Sequence, residues 1–405
     1  MDIKKITRAF LALILPIVLL SVFTGCTEEG EREGTEASIM LPDVGKRGGV
    51  TIGGKSVELI KPERMSAAYL ALDEVGKKLY EAAYTAVAMN EYAFEIAGVD
   101  LQKYTPQCSS VMMIFYYDHP ELFWLDGGHE YNTVRMSNSH IGNITVVLGV
   151  HGYWKEHDLE KAKAELDLAL NSIVEEARAI EDDYERILFV HDYLIEKNRY
   201  DYYAFEHFET MDAEAAARVS SAYGGLVKGS VMCAGYTTAF NLVMHSLGYE
   251  SFYVSGVADG GAHAWNLIGL DGEYYHVDLT WDDLDGEPAE VLYDYFCITD
   301  EEISKTHSVD AGLIYPEADS DAYNYFVRES LTLDSFSIDA VSALAGSYGG
   351  DNAFAFRCGN EKVLADALSE LIEKDKLFEI EAFKNENSYH YFMNEDLNTL
   401  YFFFD

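Results

Sequence analysis

Basic residues are scarce in this 405-residue chain: 29 Lys and Arg stand against 70 Asp and Glu, a formal charge of -41. So negative a surface repels nucleic acid and anionic lipid headgroups, which excludes partners of either kind held by charge. Long apolar runs are scarce too. After residues 9–22, nothing offers the ~20 apolar residues that a membrane-crossing helix needs. Cysteine occurs five times, and no dense His and Cys group has the spacing of a metal site. Asp118-His119-Pro120-Glu121 supplies two carboxylates and an imidazole, too few alone to hold an ion. No repeat runs through the chain, and no cofactor is expected.

What is present begins with an export pattern. Lys4, Lys5 and Arg8 precede the first apolar run, which gives way to small residues. Phe23-Thr24-Gly25-Cys26 resembles the lipobox of bacterial lipoproteins, with Phe where Leu is commoner. The expectation is a signal over residues 1–25, a lipid on Cys26 and an extracytoplasmic protein whose only membrane contact is that lipid. An ordinary secreted protein and an uncleaved anchor are the alternatives. Residues 26–61, rich in Glu, Gly and Lys, read as a flexible tether, with a small hairpin across Gly53-Gly54.

Residues 62–157 read as an α+β accessory region. Met65, Tyr69, Leu72, Val75, Leu79, Ala83, Val87 and Tyr92 recur at helical spacing, for one helix or two reaching about Ala97. Val111 to Tyr117 predicts another helix, stopped by Asp118-His119-Pro120. Glu121 to Leu125 reads as extended, and Tyr131–Met136 and Ile141–Val150 as strands. Helices are expected over 158–180 and 183–197, with His191 on an apolar face as a core histidine whose hydrogen bonds are met. Tyr200 to Phe208 is aromatic and acidic, a candidate wall for a cleft. A last unit, residues 326–405, reads as a small β-α-β-β-β layer, with strands at 354–357, 377–383, 389–393 and 400–404 and a helix over 361–374.

Between these lies the stretch that can do chemistry, residues 224–283. Ala239, Phe240, Val243, Met244 and Leu247 mark a helix that opens at Cys233 and stops at Gly248. A helix start carries partial positive charge, which favours a thiolate over a thiol, and the thiolate is the nucleophile. Strands follow at 251–257, 262–270 and 273–279, the last two joined by the hairpin dipeptide Asp271-Gly272. Pairing about that turn sets 263 opposite 280 and 265 opposite 278. His263 and Asp278 then become diagonal neighbours on one face, within reach of each other. A thiol, an imidazole and a carboxylate in that order suit acyl transfer: nucleophile, proton carrier and orienting acid.

Tyr223-Gly224-Gly225-Leu226, Val231-Met232-Cys233-Ala234-Gly235-Tyr236, His263-Ala264-Trp265-Asn266 and Val277-Asp278-Leu279-Thr280-Trp281-Asp282-Asp283 together resemble the core of the transglutaminase-like superfamily. The resemblance covers roughly residues 180–300, within an expected core domain of residues 158–325. It implies an α+β, papain-like core, a helix bearing the Cys packed on an antiparallel sheet bearing His and Asp, with Cys233, His263 and Asp278 as catalytic residues. Animal transglutaminases place a Trp upstream of the Cys to help hold the oxyanion, and no Trp occurs between Trp154 and Trp265 here. Tyr200, Tyr202 and Tyr223 are the candidates in its place, and with Trp265 they form the expected substrate-binding set. The implied function is cleavage of amide bonds in a peptide or protein substrate through a thioacyl-enzyme, as a peptidase or amidase rather than a cross-linker. The alternative is an inactive core serving as a surface binding protein for a glycan or protein partner. Cys108, Cys297 and Cys358 are expected to stay unpaired, since a protein of this size needs no disulfide staple.

Overall fold

The protein is described by a computed structural model covering residues 48–136, 139–155, 157–284, 290–310, 315–347 and 353–404. The expected leader, Cys26, most of the expected tether and residues 285–289 lie outside the described residues. Among the described residues, no helix is long and apolar enough to cross a membrane.

The accessory region is built on a five-stranded antiparallel sheet. Its order is Lys55–Val57, Val50–Ile52, Ala93–Asp100, Ile141–Val150, Leu125–Arg135. The hairpin across Gly53-Gly54 is its edge, both glycines at positive φ. One helical expectation fails here: Ala93–Asp100 is a strand. The helix Glu74–Ala88 ends two residues before Asn90, which takes a left-handed φ of 57°. Beyond it Phe94 and Ile96 alternate into the core, a period of two that a short window hides. The following helix runs Leu101–Asp118, starting ten residues earlier than its apolar pattern suggests. Residues 121–124 are turns rather than an extended run, because Phe123 and Trp124 both fold inward, and only Leu125 opens a strand.

Two helices, Leu159–Arg178 and Asp183–Lys197, start on Asp caps and pack against the helix Cys233–Leu247. That third helix is buried almost all round and lies on a second five-stranded antiparallel sheet. The order is Phe296–Ile298, Glu273–Val277, Gly261–Leu270, Glu250–Ala258, His307–Val309. Asp271 and Gly272 take positive φ, and Asn266 pairs with Val277, the register that a two-residue turn there dictates. Strand His307–Val309 returns to the outer edge and sets His307 opposite Ala258.

Three glycines let the Cys233 helix approach its neighbours. A methyl group at Gly224 would stand 1.7 Å from the Arg218 carbonyl oxygen, and one at Gly225 would stand 2.6 Å from the Ala239 Cβ. At Gly235 it would meet the Val231 Cβ at 2.5 Å. Overpacking of this kind costs about 1–3 kcal/mol and sometimes more. Gly224→Ala is therefore expected to lose about 3 kcal/mol in urea unfolding. Gly260→Ala, at a positive-φ turn with open space, is expected to lose about 1 kcal/mol. Equal losses would mean that close approach is not what Gly224 provides.

The C-terminal sheet has the order Thr332–Leu333, Ala353–Cys358, Thr399–Phe404, Tyr389–Asn394. Residues 377–383 are not the expected strand but helical turns, since Leu377, Ile380 and Phe383 turn inward at three-residue spacing. The unit docks on the core through Tyr401 and Phe403, which bury with Leu292 and Phe326. Asp294 accepts from Thr399 Oγ1 and the Tyr401 hydroxyl at 2.6 and 2.9 Å. The four cysteines of the described residues are all free, and three of them are buried.

Candidate active site

Cys233 is the first residue of its helix and the half-buried member of the four cysteines. Met232 gives the helix no side-chain cap. Gly235 N and Tyr236 N both turn back to the Met232 carbonyl, so the first-turn N–H of Cys233 is the natural donor to an oxyanion forming beside the sulfur. The approach to Cys233 is pinned by Val231 N donating to Arg199 O and Met232 N donating to Val219 O, at 3.1 and 2.8 Å.

His263 lies near the start of its strand, and its Nε2 is 2.7 Å from Asp278 Oδ2. Cys233 lies within electrostatic reach of its ring, and with Nε2 engaged Nδ1 is the atom left to face the sulfur. Burial alone would favour the neutral ring. The Asp278 carboxylate, with Cys233 adding to it, outweighs that burial and lifts His263 to about 10. Asp278 is pulled the other way. Burial resists its ionisation, but His263 first and then His307 hold it well below the usual carboxylate range. The strand carrying His263 is tied to the Cys233 helix by Asn266, whose Nδ2 donates to Thr237 O at 3.1 Å and Asn241 Oδ1 at 2.8 Å. Asn266 is thus a clamp between the two elements that carry the thiol and the imidazole.

Asp278 does two jobs with its two oxygens. Oδ1 accepts from Thr280 N and Trp281 N at 3.0 and 3.3 Å, capping the short helix Leu279–Asp282. Oδ2 accepts from His263 and, at 3.0 Å, from His307 Nε2. The His263, Asp278 and His307 donor atoms lie within 4.8 Å of one another, which is the composition of a metal site. The hydrogen bonding argues otherwise. Both Nε2 atoms point protons at the same carboxylate oxygen, where an ion would have to sit, and the other oxygen is spent on the helix cap.

One turn beyond lies a second buried pair. His191 Nε2 is 3.2 Å from Asp282 Oδ2, and His191 Nδ1 is 2.9 Å from Asp192 Oδ1. His191 is fully buried and satisfied on both nitrogens, as expected of a core histidine.

The aromatic candidates separate. Tyr200 packs beside Met232, the residue before Cys233, and Tyr202 stands edge-on to Tyr200, 59% exposed. Tyr223 lies elsewhere. Its hydroxyl donates to Glu165 Oε2 at 2.6 Å and its ring stacks on Phe123, filling the seam with the accessory region. Trp265 is also corrected: it is 1% exposed, stacks under His263 and donates from Nε1 to His276 Nδ1 at 2.9 Å. It supports the imidazole and does not face a substrate.

Two residues near the site escaped the sequence reading. Tyr253 lies within electrostatic reach of Cys233, its hydroxyl made a far weaker acid by burial first and then by Tyr117 and the sulfur. Its ring stacks on Tyr117 of the accessory region, with centroids 4.1 Å apart and planes 11° apart. His307 is the other, and it lies 29 residues past Asp278. No local pattern marks it, because a three-residue strand carries too little periodicity to read.

Comparison with known proteins agrees with the architecture. Residues 171–279 match the model of the Transglutaminase-like superfamily. No curated protein matches the chain. Among solved structures, a TGase is similar at 18% identity and a TM-score of 0.28, over 37% of this chain and 44% of that one. The periplasmic domain of TgpA from Pseudomonas aeruginosa, bound to ethylmercury, is similar at 13% identity and a TM-score of 0.22, over 47% of this chain and 71% of that one. The chain spans less than half the length of that TGase, and the likenesses are remote and partial. The core is α+β: a helix that starts on a thiol, packed on an antiparallel sheet that carries the imidazole, with the carboxylate just past the end of the adjoining strand.

Proposed function

We propose that this chain, which carries a transglutaminase-like superfamily domain at residues 171–279, is a thiol enzyme that cleaves amide bonds in a peptide or protein. The observation that carries the reading is the 2.7 Å contact between His263 and Asp278, with the Cys233 sulfur within electrostatic reach of the same ring. The Cys233 sulfur attacks the carbonyl carbon. The C–N bond then breaks, and the departing amine takes the proton held on His263. Water attacks the thioacyl carbon, giving its proton to His263, and the C–S bond breaks to release the acid and restore the thiolate. The Cys233 N–H supports the oxyanion in both steps. Trp265 beneath the ring and Asp278 behind it keep the imidazole turned towards the sulfur.

Hydrolysis is favoured over cross-linking because Cys233 is only half-buried, and a thioester open to water is hydrolysed. Placement outside the cell on a lipid at Cys26 belongs to the same proposal and rests on the leader pattern. The test is a mixed peptide library digested by the purified protein over a pH series. Cleavage is expected, with the rate declining as pH rises through about 10, where His263 loses the proton that the amine needs. Amine incorporation in place of cleavage would make it a cross-linker. No turnover, together with a thiol that iodoacetamide modifies no faster than free cysteine, would make it a binding protein.

A further inference from the structure

His307 lies outside the residues that match the superfamily model, yet it completes the environment of Asp278. Its side chain is fully buried. Nε2 faces Asp278 Oδ2 at 3.0 Å, and Nδ1 faces Thr306 Oγ1 at 2.7 Å. Trp281 lies 4.6 Å away, Trp265 packs edge-on at 5.0 Å, and Tyr295 closes the pocket at 5.4 Å. A ring held on both nitrogens and walled by three aromatics has one orientation open to it. Asp278 for its part has no water to ionise into, being 1% exposed. Its carboxylate survives there through four hydrogen bonds.

We propose that His307 is a positioning residue for the Cys233–His263–Asp278 line: by donating to the oxygen that His263 uses, it keeps Asp278 ionised and fixes that oxygen against rotation. Without His307 this oxygen would keep only its bond to His263, while the two backbone donors hold the other. The groups that face His307 are Asp278, His263 from the strand alongside, His276 beyond Trp265, Tyr295 and its own neighbour Thr306. Burial keeps the ring neutral, so it donates one proton to Asp278 and accepts one from the Thr306 hydroxyl. The inference rests on the thiol-enzyme reading for its consequence in catalysis, but not for the contact itself.

The amide nitrogen of Gln reaches where Nε2 sits, whereas that of Asn reaches only as far as Nδ1. His307→Gln and His307→Asn therefore leave a polar group in the pocket and differ in whether Asp278 keeps its donor. Two measurements on the full chain separate the questions. The first is the carboxyl titration of Asp278 by 13C NMR. His307→Asn is expected to raise its midpoint by about one to two pH units, the worth of one charged hydrogen bond, and His307→Gln to leave it near that of the wild type. The second is the pH dependence of Cys233 modification by iodoacetamide. His307→Asn is expected to slow it about tenfold at neutral pH with the acid limb moved upward, and His307→Gln to stay within about threefold. An unchanged Asp278 midpoint in His307→Asn overturns the inference whatever the thiol does. An ordinary thiol profile in the wild type sinks the enzyme reading, while the titration still decides the role of His307. Should His307→Asn fail to fold, Thr306→Val, which frees Nδ1 and lets the ring turn, must reproduce the raised midpoint, and an unmoved midpoint there also overturns it.

Discussion

Cys233→Ala is expected to abolish turnover and all rapid labelling by a thiol-directed probe, while the thermal unfolding profile stays within about 1 kcal/mol of the wild type. The reasoning is geometric. Cys108, Cys297 and Cys358 are buried, and burial pushes the Cys297 thiol well above its usual range and the Cys358 thiol up to about 12. At neutral pH neither offers a thiolate or a path to it. Cys233 is half-exposed at a helix start whose first-turn N–H has no capping side chain. Removal of a nucleophile that acts as part of a unit costs on the order of 10^6 in turnover. Mass spectrometry of the labelled protein, followed by peptide mapping, reads the result. Persistent labelling at another cysteine, or turnover within about tenfold of the wild type, would remove Cys233 from the role.

Asp278→Asn is the second large effect, and it should damage both turnover and stability. The amide can keep one oxygen for Thr280 N and Trp281 N, but its NH2 then confronts two imidazole N–H groups. Turned over, it confronts the two backbone donors instead. In the first arrangement His263 is forced into the wrong tautomer, which costs about 10^3 to 10^4 in turnover. The uncompensated partners of a buried pair cost a further ~3 kcal/mol of stability. The pH dependence follows from the two shifts. His263 is raised to about 10, so its contribution is complete below the unfolded value of ~6.5 and is lost as pH rises through about 10. Asp278 is depressed, so its contribution is complete above ~3.9 and is lost as pH falls through its folded value. The stability advantage of the wild type over Asp278→Asn should be largest between about pH 4 and 6.5 and shrink towards pH 10. Thermal melts across that range check it, and an advantage that grows with pH would refute the assigned ion pair.

Much of this site was legible because its parts sit on long, regular elements. The Cys233 helix has the bounds its apolar spacing implies, ending at Gly248 with φ 95°. The hairpin at Asp271-Gly272 fixes a register by turn length alone, so the meeting of His263 with Asp278 could be drawn before any coordinates. What stayed hidden comes from distance and shortness. Ala93–Asp100 was masked by a preceding helix whose period ran up to it. Residues 377–383 are apolar enough for a strand, and only their three-residue burial spacing separates the two cases. Tyr223 and Trp265 are aromatic and close in sequence to reactive residues, which says nothing about which way a ring points. Tyr223 went to Glu165 and Phe123, and Trp265 to His276. His307 reaches Asp278 only because the chain passes from the edge strand Phe296–Ile298 to the opposite edge strand His307–Val309, a step that no local window contains.

The stacking of Tyr117 on Tyr253 has a further bearing on how the molecule is divided. Composition draws a border near residue 157, with folding units on either side, yet an aromatic ring within electrostatic reach of the Cys233 sulfur is held flat by one from across that border. A change in the first segment can therefore shift that ring while Cys233, His263 and Asp278 stay untouched.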